Sequence, residues 1–393
     1  MGEPTSASAA SGRMQIVLAA EPSAGGVGRH VLDLAEGLPA RGFRVLLVHA
    51  RQGLDPAFSE RLAQRAGFGY DATSIDVRHE IGGQDMAATF ALRRAIRDFG
   101  GADVLHAHSS KAGALARLGR WGHARRTVYT AHGWYTQNPK LGRGAHTAYR
   151  AIEVGLSSVT DAIVSVSQGE AEHAAGIGIP RRKLVVIENG IEPWPAERVA
   201  AARRETRARL GVAENDVVVG FLGRLQSAKA PELAVRTFRR ILDECPDAVP
   251  VLAGDGPDAD LVRATLSELG LTDRVRWLKA VKGTDTIPAF DVFLLTSRYE
   301  GFPYALLEAL SSSCAIVSTR VPGVAECVVH GDNGYVVDGA DDAALAAHVT
   351  SLIHDRTRLR TMRDRSRHRA LVFSMDRMLD RTADLYRTLH EAR

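Results

Sequence analysis

Short apolar, β-branched runs alternate along this chain with longer stretches whose apolar positions recur every three to four residues. The runs in the first half are Gln15–Ala19, Arg44–His49, Asp103–Ala107, Thr127–Ala131, Ala162–Ser167 and Leu184–Ile187. Those in the second half are Val217–Leu222, Pro250–Ala253, Val275–Leu278, Val292–Thr296 and Ala315–Ser318. They are near-continuously apolar, which predicts strands of parallel sheets buried on both faces. Helical period fills the intervals. Val27, Val31, Leu34 and Leu38 share one face after the first run, and Ala340–His354, Arg358–Phe373 and Met375–His390 read as helices after the last. Such alternation predicts an α/β fold. No internal repeat of about 20–50 residues interrupts it.

The strand series breaks at Glu188-Asn-Gly-Ile-Glu-Pro-Trp-Pro195, a turn signal followed by two prolines. At 393 residues the chain suits two or three domains of about 150 residues each. The predicted organisation is a Ser/Ala/Gly-rich tail over 1–13, a Rossmann-like domain over 14–190, a second one over 191–372, and a terminal helical segment over 373–393. Two α/β domains facing across a cleft are the economical picture.

Composition narrows the function classes. Hydrophobic residues at 45% and charged residues at 24% exclude a disordered chain. A mean hydropathy of -0.11, with no apolar run of about 18 residues, argues against a membrane-spanning helix. The opening residues lack the apolar core of a signal peptide. Cys245, Cys314 and Cys327 have no metal-ligand spacing and predict reduced thiols, which suits the cytoplasm. The net charge is +4, six of the 50 basic residues are Lys, and no basic block is long enough to suggest nucleic acid.

Candidate chemistry gathers where predicted strands end. Gly25, Gly26 and Gly28 follow the first strand and open a helix, so backbone and helix N-terminus can approach an anion. A dinucleotide site is the rival reading. The spacing is not G-x-G-x-x-G, however, and the second strand ends in His49-Ala-Arg51 without a ribose-binding acid. Arg51 could still face a 2′-phosphate. In the second half, Gly223 frees the backbone while Arg224 and Lys229 flank one loop and can converge on a polyanion. In Glu300-Gly-Phe-Pro-Tyr-Ala-Leu-Leu-Glu308, Glu300 lies in a loop, Pro303 suits a first helical turn, and Glu308 stands inside that helix. The two carboxylates can grip opposite ends of a polyol ligand, and amides near Phe302–Tyr304 can meet an anion between them. His132 ends the strand Thr127–Ala131 beside Gly133. His106 and His108 alternate on the strand before, which raises a metal site, but no acid or cysteine stands close to complete it. Asp258-Ala-Asp260 could hold a divalent ion on a diphosphate, although helix capping explains it better. The expectation is therefore no metal.

Taken together, these motifs resemble the retaining glycosyltransferases of the GT-B fold, family 4 (group 1). The residues that carry the resemblance are the Gly25–Gly28 loop, Thr130-Ala-His-Gly133, Val166-Ser-Gln-Gly169, Glu188-Asn-Gly190, Gly223-Arg-Leu with Lys229, Gly254-Asp-Gly-Pro257, the E-x7-E pair Glu300/Glu308 and Pro322-Gly-Val-Ala-Glu326. It spans roughly residues 14–390. It implies a nucleotide-sugar donor, read as UDP-linked, with no other cofactor. Arg224 and Lys229 would clamp its diphosphate, helped by the helix amides after Glu300, Glu300 would meet the sugar, and Gly223, Gly301, Phe302 and Pro303 would complete the donor site. Glu308 would meet the ribose, Gly25, Gly26 and Gly28 would lie near diphosphate and acceptor, and His132 near the sugar. The catalytic set is thus His132, Arg224, Lys229 and Glu300. The final helix would cross back onto the first domain. Val324 departs from the family, in which a second Gly often follows the Pro-Gly.

The expected reaction is metal-independent transfer with retention. The His108-Ser-Ser-Lys-Ala-Gly113 and Thr130-Ala-His-Gly-Trp134 segments suggest a polyprenyl-diphosphate-linked or other cell-envelope glycan as acceptor, with Lys111 and Trp134 beside it. The basic stretch from Lys111 through Trp121 to Arg126 could rest on an anionic membrane. The expected location is cytoplasmic, on the inner face of the membrane. A nucleotide-sugar epimerase of the same fold is the nearest alternative, and an NAD(P)-dependent oxidoreductase a more distant one.

Overall fold

The structure is a computed structural model and describes residues 12–392, apart from 22–23, 78–81, 83, 121 and 280. The expected tail over 1–13 lies outside the described residues except for Gly12 and Arg13. The chain divides into two compact units, one built from residues 1–189 and 375–393 and the other from 190–374.

Seven strands form the sheet of the first unit: β1 (Gln15–Ala20), β2 (Arg44–Ala50), β3 (Asp71–Ile75), β4 (Ala102–His108), β5 (Ala124–Thr130), β6 (Ala162–Ser165) and β7 (Leu184–Val186). They lie in the order β3-β2-β1-β4-β5-β6-β7, every pair parallel. Chain order reverses between β1 and β4, and that switch point is where open α/β sheets leave a crevice beyond their carboxyl ends. The edge strand β3 is missing from the sequence reading. Its residues Asp-Ala-Thr-Ser-Ile are half-exposed or exposed, so no apolar run marks them.

The second unit repeats the plan with β8 (Val218–Leu222), β9 (Val249–Ala253), β10 (Arg276–Leu278), β11 (Val292–Leu295), β12 (Ala315–Thr319) and β13 (Gly334–Val337), in the order β10-β9-β8-β11-β12-β13. All five pairs are parallel. Here the switch point lies between β8 and β11. The edge strand β13 also escaped the sequence reading, because four residues after the turn signal His330-Gly-Asp-Asn-Gly make too short a run. Leu233, Ala234, Phe238, Ile241 and Leu242 bury the inner stripe of the helix Pro231–Glu244 against this sheet, and Pro231 opens that helix in the position prolines favour.

The final helix, Met375–Glu391, belongs to the first unit. Met378, Leu379, Ala383 and Tyr386 form its buried stripe and join the core that contains Ile16, Val31 and Val104. Gly37 lets it approach: a Cβ there would stand 2.3 Å from Leu379 Cδ1. Arg41 reaches Asp380 at 2.7 Å and Asp376 at 2.8 Å, and Arg381 bonds Glu188. The three cysteines are buried and unpaired with one another, and burial pushes the Cys314 thiol up to about 12. None of the described helices is long and apolar enough to cross a membrane.

Candidate active site

The loops that leave β8 and β11 meet at the switch point of the second unit. Lys229 Nζ donates to Glu300 Oε1 over 2.5 Å, and Ser297 Oγ donates to the same oxygen over 2.5 Å. The pair is partly buried, which fixes both side chains across the crevice end of the sheet. Arg224, on the same loop as Lys229, is exposed and has no ion pair or hydrogen bond among the described residues. A fork-shaped cation thus stands on the same loop as a point cation. Pro303 stands one residue before the helix Tyr304–Ser311 rather than in its first turn. The positive end of that helix dipole lies directly after Gly301 and Phe302. Glu308 is 8% exposed, and its carboxylate packs on Gly283, where a Cβ would come within 2.2 Å of Oε2.

Two glycine motifs brace these loops. Gly254 has φ +132, and a Cβ there would lie 2.0 Å from the Gly223 carbonyl oxygen. Gly223 N–H donates to the Ala253 carbonyl and Leu225 N–H to that of Asp255, so Gly254-Asp-Gly256 is the floor on which Arg224 is presented. Gly323, at φ +82, lies equally close to Gly301 and Phe302. Val324 is fully buried. Asp260 is exposed and paired with Arg263 at 2.5 Å, which makes the Asp258/Asp260 segment a helix start on the surface.

In the first unit, the helix Gly25–Gly37 starts at Gly25, and the anion that meets its N-terminus is protein: Gly25 N–H donates to Asp55 Oδ2 over 2.8 Å. Gly26 is exposed and Gly28 is buried in the first turn. Arg51 pairs with Asp76 on the surface. His132 follows β5 with φ +58, a strained conformation for a non-glycine residue. Glu170 holds the turn, accepting from Gly133 N–H over 2.6 Å and Val166 N–H over 2.7 Å. Ser167, the N-cap of the helix Gln168–Gly176, accepts in return from Glu170 N–H, so Glu170 ties the turn of His132 to the start of that helix.

His132 is one of four clustered imidazoles. His108 Nδ1 lies 3.0 Å from His132 Nε2, and the His30 ring is 4.7 Å from that of His132 and 5.4 Å from that of His108. His30 Nδ1 pairs with Asn189 Oδ1 at 2.9 Å. His106 uses both nitrogens elsewhere, on Tyr386 at 2.5 Å and on Thr130 at 2.8 Å. The sequence reading named His106, His108 and His132 as a possible ligand trio. The ligand atoms that converge belong instead to His30, His108 and His132. His30 and Asn189 escaped notice because helix register and a long chain reversal bring them in.

Three expectations need correction. Trp134 is 2% exposed and packs on Tyr129, Ile163 and Ala174, so its ring is core and offers no acceptor platform. Lys111 is held by Asp85 at 2.9 Å. The basic stretch that was to face a membrane pairs three of its cations with carboxylates of the protein, while Leu118 stays exposed. Arg117 is fully buried on Glu153 and stacks over Tyr129, and Arg120 and Arg126 both pair with Asp161. Trp121 lies outside the described residues.

Burial keeps these imidazoles neutral. His30 is pushed down to about 4, and His106, His108 and His132 fall well below the ordinary 6.5. Unfolded imidazoles take up protons below pH 6.5 and these do not, so stability present above pH 6.5 is lost as pH falls towards 4. His30 alone accounts for about 3 kcal/mol of that loss. Burial pushes Glu170 up to about 7, and its contribution runs the other way, present below pH 4.5 and lost as pH rises through 7. Four imidazoles outweigh one carboxyl. The urea midpoint is expected to fall between pH 7 and pH 5, and a midpoint that held or rose would mean the histidines are not buried neutral groups.

The model for "Glycosyltransferase Family 4" matches residues 24–194 and that for "Glycosyl transferases group 1" matches residues 202–369. The chain is 30% identical over 341 residues to a D-inositol 3-phosphate glycosyltransferase of Salinispora tropica, covering 79% of this chain and 69% of the relative. It is 28% identical over 271 residues to an N-acetyl-alpha-D-glucosaminyl L-malate synthase of Bacillus anthracis, covering 67% of this chain and 69% of the relative. Among solved structures, Anabaena Alr3699/HepE in complex with UDP and glucose superimposes with a TM-score of 0.80 at 20% identity, over 96% of this chain and all of that one. Two parallel sheets whose switch-point loops carry the E-x7-E pair and the Arg/Lys loop, together with these matches, place the chain in glycosyltransferase family 4 (group 1), with the GT-B fold.

Proposed function

We propose that the protein moves a sugar from a nucleotide-sugar donor, UDP-linked, to an acceptor hydroxyl with retention of anomeric configuration. The observation that carries this reading is the Lys229–Glu300 pair across the second unit's switch point, with the unpaired Arg224 on the same loop. Arg224 and Lys229 hold the donor diphosphate, Glu300 and the Gly301–Pro303 backbone meet the sugar, and Glu308 meets the ribose. The UDP and glucose named with the Anabaena structure suit that donor class. The alternative of an epimerase has no such support, since the matched families and relatives are described as transferring or synthesising enzymes.

Transfer breaks the bond between the anomeric carbon and the diphosphate oxygen. Its electron pair goes to the departing diphosphate while positive charge grows on the sugar ring. Arg224, Lys229 and the N-terminus of the helix Tyr304–Ser311 stabilise the departing charge without a metal on the diphosphate. The acceptor hydroxyl then attacks from the same face and its proton passes to the leaving diphosphate oxygen, which leaves His132 to position the sugar. Omitting Mg2+ and Mn2+ should not slow transfer, and adding Mg2+ after chelation should not accelerate it. Restoration of a lost rate by Mg2+ would overturn metal-independent departure. An α-linked product from an α-linked donor, read by NMR coupling constants, tests retention. Thermal-shift screening against nucleotide sugars tests the donor class, and Arg224→Ala and Glu308→Ala should abolish the shift.

For the acceptor we propose a cell-envelope glycan, carried on a polyprenyl diphosphate. Support comes from Met86, Phe90 and Leu118, which are 70%, 62% and 62% exposed on two helices that pack together. The names of the relatives favour a second reading, a small anionic acceptor such as an inositol phosphate or a hydroxy acid. Flotation with anionic liposomes separates them: binding at low salt that is lost in Phe90→Asp supports the first, and absence of binding supports the second.

A further inference from the structure

The histidine cluster of the first unit goes beyond this reading. Three stretches of chain build it: the helix after β1 supplies His30, the end of β4 supplies His108, and the turn after β5 supplies His132. One nitrogen from each lies within 4.8 Å of the others, with His30 and His108 buried and His132 half-exposed. We propose that these three imidazoles bind a late first-row divalent cation of the Zn2+ class, a site that donor recognition by the second unit does not require.

The donor set argues for that class. It contains nitrogen alone, which suits Zn2+, Cu2+ or Ni2+ and does not suit Mg2+ or Ca2+. His30 also has the outer partner that ligating histidines use. The Asn189 amide oxygen can only accept, so it fixes the proton on His30 Nδ1 and leaves Nε2 as the ligand atom.

Hydrogen bonding within the protein does not satisfy the cluster. Among the described residues, His108 Nε2 is buried without a hydrogen-bond partner, an unfavourable state for a polar atom. Among the described residues, His108 Nδ1 meets only His132 Nε2, another imidazole nitrogen, and one proton serves that contact. One nitrogen from each of three rings, all within 4.8 Å of one another, is what a small dication would hold together. His106, whose nitrogens go to Tyr386 and Thr130, packs its ring 4.1 Å from that of His108 and acts as a fixed wall.

Three protein ligands leave a tetrahedral ion one open position, the arrangement of catalytic rather than closed structural zinc sites. A water or an acceptor oxygen would fill it, and the half-exposed His132 marks the route of entry. The ion would hold the strained His132 turn in place through its ligand atom.

The test uses the full chain, stripped with a chelator and then titrated with Zn2+ or Co2+. One equivalent should bind, Co2+ should develop the visible bands of a four-coordinate site, and X-ray absorption on the Zn2+ form should find only nitrogen and oxygen neighbours at about 2.0–2.1 Å. His30→Gln and His132→Gln should each remove the Co2+ bands. Asn189→Ala, which alters only the outer partner, should weaken binding about 10–100-fold. Failure of the unaltered chain to bind one equivalent overturns the proposal, as do Co2+ bands that survive in both histidine variants. The readout is metal binding, so the result stands apart from the identity of donor and acceptor.

Discussion

Arg224→Ala is expected to lower kcat/KM for donor cleavage by about 10²–10³-fold, the loss of about 2.7–4 kcal/mol that follows removal of one preorganised donor to a developing anion. The size follows from where the charge appears. Departure of a nucleoside diphosphate builds negative charge on its terminal oxygens, and a guanidinium already in place there needs no reorganisation as the bond breaks. Arg224 is well suited to such a role because it serves no other. It is exposed, bonds nothing among the described residues, and stands on a loop fastened by backbone hydrogen bonds to Ala253 and Asp255. Its removal should leave the urea midpoint unchanged. Lys229 is a less clean probe, since Lys229→Ala would also leave Glu300 without its cation. Donor turnover at the wild-type rate in Arg224→Ala would remove this residue from the site.

Asp291→Ala is expected to be the converse case, a loss of about 3–5 kcal/mol in stability, the cost of breaking a buried ion cluster from one side. Asp291 precedes β11, at the end of the strand opposite to the Glu300 loop, and is 3% exposed. It accepts from Arg203 at 2.8 Å, Arg207 at 3.2 Å, Arg363 at 2.8 Å and the Val218 amide at 2.9 Å. Arg207 is only 2% exposed, so removing the carboxylate strands a guanidinium that water cannot reach. Two helices distant in sequence, Ala196–Leu210 and Arg356–Ala370, lose their shared anchor at once. Urea denaturation measures the loss, and an unchanged midpoint would show that the three arginines find other partners. Nucleotide-sugar binding by the fraction that remains folded should be unaltered, because the cluster lies at the wrong end of the sheet to touch a ligand.

The contrast between these residues explains what could be read early. Arg224, Lys229 and Glu300 lie in short loops directly after apolar strands, Glu308 stands in the helix that follows, and local spacing marks all four. The Asp291 cluster has no local mark. Its three arginines are spread over 160 residues of an arginine-rich chain, and nothing in the order of residues separates them from solvated surface charges. The same limit misdirected the reading of Lys111–Arg126. A helix with regularly spaced cations and an apolar face looks alike whether its charges meet a membrane or the carboxylates of Asp85, Glu153 and Asp161. Trp134 failed for a related reason. An aromatic residue after a strand end reads as a platform until the core beneath it is counted.

Local pattern alone determined the two-sheet α/β plan and the chain reversal near Asn189, and it singled out the loops to which we assign donor chemistry. Each depends on interactions between near neighbours: strand period, helix period, and turn residues at fixed spacing. Only the tertiary structure decided which strands are adjacent and which way side chains face. Setting β4 between β1 and β5 brings His30, His108 and His132 within reach of one another. The return of the last helix places Tyr386 on His106. Those contacts join residues up to 280 positions apart, and burial and sheet order, which no local pattern encodes, select them.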